Sequence, residues 1–241
     1  TLPAGVAPRP LVVMPHGGPI GIADDRHFDP QVQFLASLGY AVLQVNFRGS
    51  GGYGVKFREA GYRGEGTAIE DDIDAAIDAA LATFPLDRGR MCVVGSSYGG
   101  QSGLSLAVRS PGRFRCVVSM SGVSDRILFF TASDAGRRKA GRDVLEKIIG
   151  DPNSQLDQMV ATSPLFRYRE LTTPVMLVHG GEDIRVDYEH TRRLVRMLNL
   201  AGHPPVLLEL PDEAHGIRDI DNLEKAWNGI AGFLRQHLGP G

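Results

Sequence analysis

Six short apolar runs recur along the chain: Leu11–Met14, Tyr40–Val45, Met91–Val94, Phe114–Met120, Val175–Val178 and Pro205–Leu210. Runs this short predict strands, and the valine-rich Met91–Val94 reads as one buried on both faces, as in a parallel sheet. Between them the period changes to that of a helix. A segment opening at Pro30 turns Val32, Phe34, Leu35 and Leu38 inward and stops at Gly39. From Ile69 to Leu81, Ile73, Ala76, Ile77 and Ala80 share one face, and acids near the start suit the helix dipole. Further helices are expected after Ser97, from about Asp187 to Leu200 (closed by Gly202), and along the stripe Leu223, Trp227, Ile230, Leu234 up to Gly239-Pro240. Strands alternating with helices predict an α/β fold: a mostly parallel, doubly wound sheet with helices on both faces and ligands at the carboxyl ends of its strands. The alternation lapses over residues 124–170, read as a partly helical insertion that crosses the carboxyl edge of the sheet, with one helix from Arg142 to Ile149.

Composition narrows the function classes. A length of 241 residues, 42% of them apolar, suits one domain, taken as 1–241. A net charge of −2 without blocks of like charge argues against a nucleic-acid partner. No run of about 18 apolar residues is present to span a membrane. Cys92 and Cys116, the two cysteines, fall in predicted buried strands and read as inert thiols. Compartment stays open, with the cytoplasm ahead of a periplasmic or secreted location.

The chemistry gathers where the predicted strands end. Gly95-Ser96-Ser97-Tyr98-Gly99 fits G-x-S-x-G between a strand and a helix, the context that a nucleophile elbow requires. Side chains at Gly95 and Gly99 would collide with neighbouring backbone, and the Ser97 hydroxyl would project at a helix N-terminus that favours developing negative charge. After Val175–Val178 comes His179-Gly180-Gly181-Glu182-Asp183, and after Pro205–Leu210 comes Pro211-Asp212-Glu213-Ala214-His215. Ser97, Asp183 and His215 therefore appear in the α/β-hydrolase order of nucleophile, acid and histidine. Serine needs His215 as its base, and Asp183 would fix the imidazole tautomer. Glu182, Asp187, Asp212 and Glu213 compete for the acid's role. Two other matches lack their context. Gly49-Ser50-Gly51-Gly52-Tyr53-Gly54 spells a dinucleotide fingerprint but is not expected to open a helix, and Asp212-Glu213-Ala214-His215 has no phosphate loop to accompany it. Neither a cofactor nor a metal site is expected.

With these residues in place, nearly the whole chain resembles the catalytic domain of the prolyl oligopeptidase family of serine peptidases, which has the α/β-hydrolase fold. The likeness is carried by His16-Gly17-Gly18-Pro19, Asn46-Phe47-Arg48-Gly49-Ser50-Gly51-Gly52-Tyr53-Gly54, the Ser97 elbow, His179-Gly180-Gly181-Glu182-Asp183-Ile184-Arg185-Val186 and Glu213-Ala214-His215-Gly216. It implies an oxyanion hole formed by the Tyr98 N–H and the Tyr53 hydroxyl, where sequence alone would also allow a backbone N–H near Gly18. It gives His16 a role in supporting the loop. It maps an apolar substrate pocket onto Tyr98, Val123, Phe129 and Val186, with Arg126 nearby. The family's N-terminal β-propeller is not seen in this sequence, and the first strands of its sheet are expected to precede Thr1. Tyr40–Val45 would then be an exposed edge strand, the ten residues Thr1–Pro10 being too proline-rich to cover it, so association into a homo-oligomer is an expectation.

The activity expected is hydrolysis of peptide or amide bonds in short or N-acylated peptides through an acyl-enzyme, by the catalytic portion of a larger acylaminoacyl- or dipeptidyl-type peptidase. The upstream segment would be its partner. A free-standing carboxylesterase using the same triad on small esters is the alternative in mechanism. A non-enzymatic binding module is the alternative in class.

Overall fold

The structure, a computed structural model, describes residues 1–3 and 8–241. In chain order its elements are β1 (Arg9–Val13), α1 (Pro30–Ser37), β2 (Ala41–Leu43), α2 (Val55–Glu59), α3 (Ala68–Thr83), β3 (Leu86–Ser96), α4 (Tyr98–Arg109) and β4 (Cys116–Met120). They continue as α5 (Phe129–Ala132), α6 (Lys139–Ile148), α7 (Leu156–Thr162), a 3₁₀ turn (Pro164–Arg167), β5 (Val175–Gly180), α8 (Glu189–Leu200), β6 (Val206–Leu210) and α9 (Ile220–Leu238). The strands form one sheet in the order β2-β1-β3-β4-β5-β6. Every neighbouring pair is parallel.

Strand side chains alternate between two cores. Leu11, Val13, Met91, Val93, Val117, Val175 and Leu177 meet α3, α4 and α8 on one face. Val12, Val42, Cys92, Val94, Cys116, Val118, Met176 and Val178 meet α1 and α9 on the other. Burial on both faces is why these strands read as unbroken apolar runs. The sequence order reverses about β1, which has β2 on one side and β3 on the other. This is the topological switch point, where the turns after β1 and β3 are neighbours and a crevice opens.

Four expectations change. Cys92 and Cys116 are register partners in β3 and β4 and form a disulfide, with Cα atoms 4.8 Å apart, rather than two thiols. That separation lies inside the range a disulfide spans. The edge strand β2 is partly covered, because the Thr1 amino group donates to Val42 O and Val42 N–H donates to Thr1 O, both at 2.9 Å. Residues 4–7 of the segment expected to leave it bare lie outside the described residues. The glycine-rich loop does run into a helix, the five-residue α2 at Gly54, which the run of later glycines had argued against. Glu70, grouped with the acids that favour a helix start, is fully buried in α3.

The insertion holds α5, α6 and α7 around a small core of its own, Phe130, Leu145, Ile149 and Met159. Among the described residues, no helix is long and apolar enough to cross a membrane.

Candidate active site

Ser97 sits between the end of β3 and the first residue of α4 with φ 57° and ψ −122°, a strained conformation for a residue with a side chain. Crowding imposes it. A Cβ on Gly95 would lie 2.3 Å from Gly99 C and O, and one on Gly99 would lie 2.1 Å from Pro15 O. The Ser97 backbone is tied down from both sides, its N–H donating to Met120 O and its C=O accepting from Gly100 and Gln101. A Cβ on Gly17 would stand 3.6 Å from Ser97 Cβ, so the turn after β1 borders the serine, as a switch point requires. His16 ties this turn to the glycine-rich loop: Nε2 pairs with Ser50 Oγ at 2.8 Å and the ring stacks on Phe47.

Asp183 lies just beyond β5 and His215 beyond β6. His215 Nδ1 is 2.8 Å from Asp183 Oδ2. The other carboxylate oxygen, Oδ1, accepts from the backbone N–H groups of Arg185 and Val186, both at 2.9 Å. His179 Nε2, which donates to Val186 O, also stands 3.3 Å from Asp183 Oδ2. Burial alone would raise the Asp183 carboxyl. Hydrogen bonds from His179, His215 and the Val186 N–H outweigh it and hold the group well below the usual carboxylate range. Two of the rival acids are placed differently. Glu182 is exposed while Asp183 is buried. Glu213 is spent on structure, accepting from Arg218 N, Asp219 N and Asn222 Nδ2 at the start of α9.

Ser97 and His215 border one cleft of about 970 Å³, walled by Gly17, Gly18 and Ile22 from the β1 loop and by Phe129, Arg138 and Leu145 from the insertion. Among the described residues no hydrogen bond joins Ser97 Oγ to His215. Such catalytic contacts often tighten when substrate arrives. Arg185 and Asp134, which the sequence reading did not single out as site residues, also border the cleft and pair with each other at 3.4 Å.

The residues expected to hold the oxyanion and the substrate divide. The Tyr98 N–H opens α4 and takes no backbone partner among the described residues. The Tyr98 side chain turns away into the core, where its hydroxyl donates to Glu70 Oε1 at 2.8 Å. Tyr53 is 57% exposed, packs against Phe57, and accepts a hydrogen bond from Asn46 Nδ2 at 2.9 Å. Tyr98, Val123, Arg126 and Phe129 line a second cavity of about 110 Å³ together with Ser97. Val186 is not among its lining residues: it is fully buried, and its backbone holds Asp183 and His179. Nor is this cavity wholly apolar. Glu65 and Gln101 border it with Arg126, and Arg126 Nε lies 3.5 Å from Glu65 Oε2. Gln101 was detectable, being one helical turn beyond Ser97. Glu65 was not, since it arrives from a glycine-rich loop far along the sequence.

Residues 26–241 match the model of the prolyl oligopeptidase family. The chain belongs to that family. It is 33% identical over 237 residues to dipeptidyl aminopeptidase BIII of Pseudoxanthomonas mexicana, covering 97% of this chain and 34% of that protein. The solved structure of a puromycin-hydrolyzing peptidase of Mycobacterium tuberculosis superposes with a TM-score of 0.90 at 28% identity, covering 99% of this chain and 35% of the other. An acylaminoacyl peptidase of Pyrococcus horikoshii gives 0.89 at 27% identity, covering 97% and 38%. The α/β-hydrolase architecture is thus shared with family peptidases. The chain spans about a third of the length of the curated relatives it matches.

Proposed function

We propose that the chain is the catalytic portion of a larger serine peptidase that cleaves peptide or amide bonds of short or N-acylated peptides through an acyl-enzyme. Ser97 Oγ attacks the scissile carbonyl carbon while His215 Nε2 takes its proton. Asp183, bound to Nδ1, holds the imidazole in the tautomer that leaves Nε2 free to accept and stabilises the imidazolium that results. The tetrahedral oxyanion takes the Tyr98 N–H and the Tyr53 O–H. Because the Tyr53 oxygen already accepts from Asn46, its own proton is left to donate. Collapse of the intermediate breaks the C–N bond, and His215 returns the proton to the departing amine. Water then attacks the ester by the same route and releases Ser97. The observation that carries this reading is the 2.8 Å His215–Asp183 contact at the margin of the cleft that strained Ser97 shares.

The names of the relatives support a peptide rather than an ester substrate, and their greater length supports an upstream segment, in this family a β-propeller, as the natural partner that restricts access by size. The test is a rate panel of p-nitrophenyl esters, aminoacyl anilides and N-acyl amino acid anilides, with Ser97→Ala as control. Hydrolysis of the anilides, abolished in Ser97→Ala, is the expected result. Turnover confined to the esters would transfer the chain to the carboxylesterases, and turnover of none would favour a binding module.

A further inference from the structure

The first turn of α4 lacks the fastening that its sequence would ordinarily supply. Ser97 holds the N-cap position, where a serine closes its hydroxyl onto the N–H of the second or third helical residue. Here it makes no such bond, and Ser97 borders the cleft instead. Its carbonyl accepts from Gly100 and Gln101, both at 3.1 Å. Those bonds fix the planar Ser97–Tyr98 peptide, and so the Tyr98 N–H, relative to the first turn. They do not fix the first turn relative to the rest of the site.

Two buried acids from the preceding segment take up that task. The Tyr98 hydroxyl donates to Glu70 Oε1 at 2.8 Å, and Gln101 Nε2, one turn on, donates to Glu65 Oε2 at 3.3 Å. All four side chains are 3% exposed or less. Packing does not account for the first and shorter bond. Phenylalanine has the ring that the Tyr98 site buries, and an apolar side chain at position 70 would match the buried Ile69 and Ile73 of α3. Instead a carboxyl is buried, with Oε2 accepting no hydrogen bond among the described residues, an arrangement that costs stability. Such breaches of packing logic gather at functional sites. What the bond adds is direction. It ties the first residue of α4 to α3, while the Tyr98 ring meets Phe47 edge-on at 5.8 Å between centroids. Phe47 in turn stacks on His16 at 4.2 Å, and His16 Nε2 pairs with Ser50 Oγ, three residues before Tyr53. One column of side chains therefore joins the helix start that carries the Tyr98 N–H to the loop that carries the Tyr53 hydroxyl.

We propose that Glu70 is a positioning residue for acyl transfer: through the Tyr98 hydroxyl it holds the Tyr98 N–H in line for the oxyanion formed at Ser97. The proposal rests on the serine-hydrolase reading of Ser97, so its test separates the two. Two readouts are taken together, kcat/KM for p-nitrophenyl acetate with Ser97→Ala as the blank, and the denaturant midpoint. Glutamine still accepts from Tyr98, so Glu70→Gln should keep kcat/KM within about threefold of the unaltered protein. The double variant Glu70→Met/Tyr98→Phe removes both partners and leaves the backbone N–H at position 98 in place. Replacing both partners of a buried bond by apolar groups is nearly neutral for stability, so its midpoint should match or exceed that of the unaltered protein. Its kcat/KM should nevertheless fall by about tenfold, a part of the roughly 10²- to 10³-fold that one oxyanion donor contributes. A bond that served stability alone would move the two readouts together. If the double variant fails to fold, Tyr98→Phe alone, which deletes one oxygen, carries the same expected loss of activity. Unaltered kcat/KM in the folded double variant, or in Tyr98→Phe, overturns the proposal, as does a loss in Glu70→Gln equal to theirs. Turnover that is absent, or that survives in Ser97→Ala, removes the serine-hydrolase reading and the proposal with it.

Discussion

At the scale of single residues, the site depends on groups whose environment differs from what their type implies. Tyr53 is an exposed tyrosine in a loop, yet its hydroxyl is oriented by Asn46 and left with a proton to donate. In the proposed role of second oxyanion donor, it should be worth about 10²-fold in kcat, with KM nearly unchanged in Tyr53→Phe. A drop of no more than about twofold would assign the second donor to backbone near Gly18. Glu70 is the opposite case, an acid that the pattern placed among the polar residues of a helix start and that the fold buries. Burial pushes its carboxyl up to about 7, with the hydrogen bond from the Tyr98 hydroxyl opposing the rise. The sign follows from linkage. The folded state holds the proton more tightly than the unfolded chain, so this group favours folding below about pH 4.5, and that contribution is lost as pH rises through about 7. Glu70→Gln, which still accepts from Tyr98, should therefore gain stability relative to the unaltered protein between about pH 5 and 8. Denaturant titrations across that range check it, and parallel curves would show that the carboxyl carries no such shift.

Elements were more legible than their pairing. Each of the six short apolar runs overlaps a strand; in the central strands burial on both faces leaves no polar positions to blur the run, whereas Val206 and Leu207 of β6 are exposed. The Ser97 elbow was readable for a steric reason that the structure supplies in detail: the backbone approaches Gly95 and Gly99 so closely that no side chain fits. Gly99→Ala should then lower the melting temperature by about 5 °C or more, as over-packing by ~1–3 kcal/mol does in a chain of this size. It should lower kcat/KM as well. Gly232→Ala, in α9 with no atom within 4 Å of the added carbon, is the matched control and should raise stability slightly. A Gly99→Ala protein as stable as the control would show that the elbow is not sterically fixed. Register, by contrast, is a relation between distant runs. Cys92 and Cys116 face one another only because β3 and β4 align Cys92 with Cys116, and neither run announces that alignment. The same limit hid Glu65, whose loop reaches the Ser97 cavity through the packing of α3 against α4.

On the scale of the whole molecule, the sheet order gathers the site. Reversal about β1 brings its glycine turn against Ser97, and the succession β3-β4-β5-β6 sets the carboxyl ends that carry Ser97, Asp183 and His215 along one edge. The insertion then closes one side of the cleft. The residue types and order of the proposed triad could be read in advance because they fall at the ends of strands, whereas the mixed polarity of the cavity beside Ser97 could not, since it is assembled from segments distant in sequence. The central claim is that Ser97 is the nucleophile of this edge. The most direct measurement is reaction with a fluorophosphonate, followed by digestion and peptide mapping that resolves Ser96, Ser97 and Ser102. One adduct is expected, on Ser97, absent from Ser97→Ala and strongly reduced in His215→Ala because the hydroxyl then lacks its base. An adduct on Ser96 or Ser102, or undiminished labelling of Ser97→Ala, would contradict it.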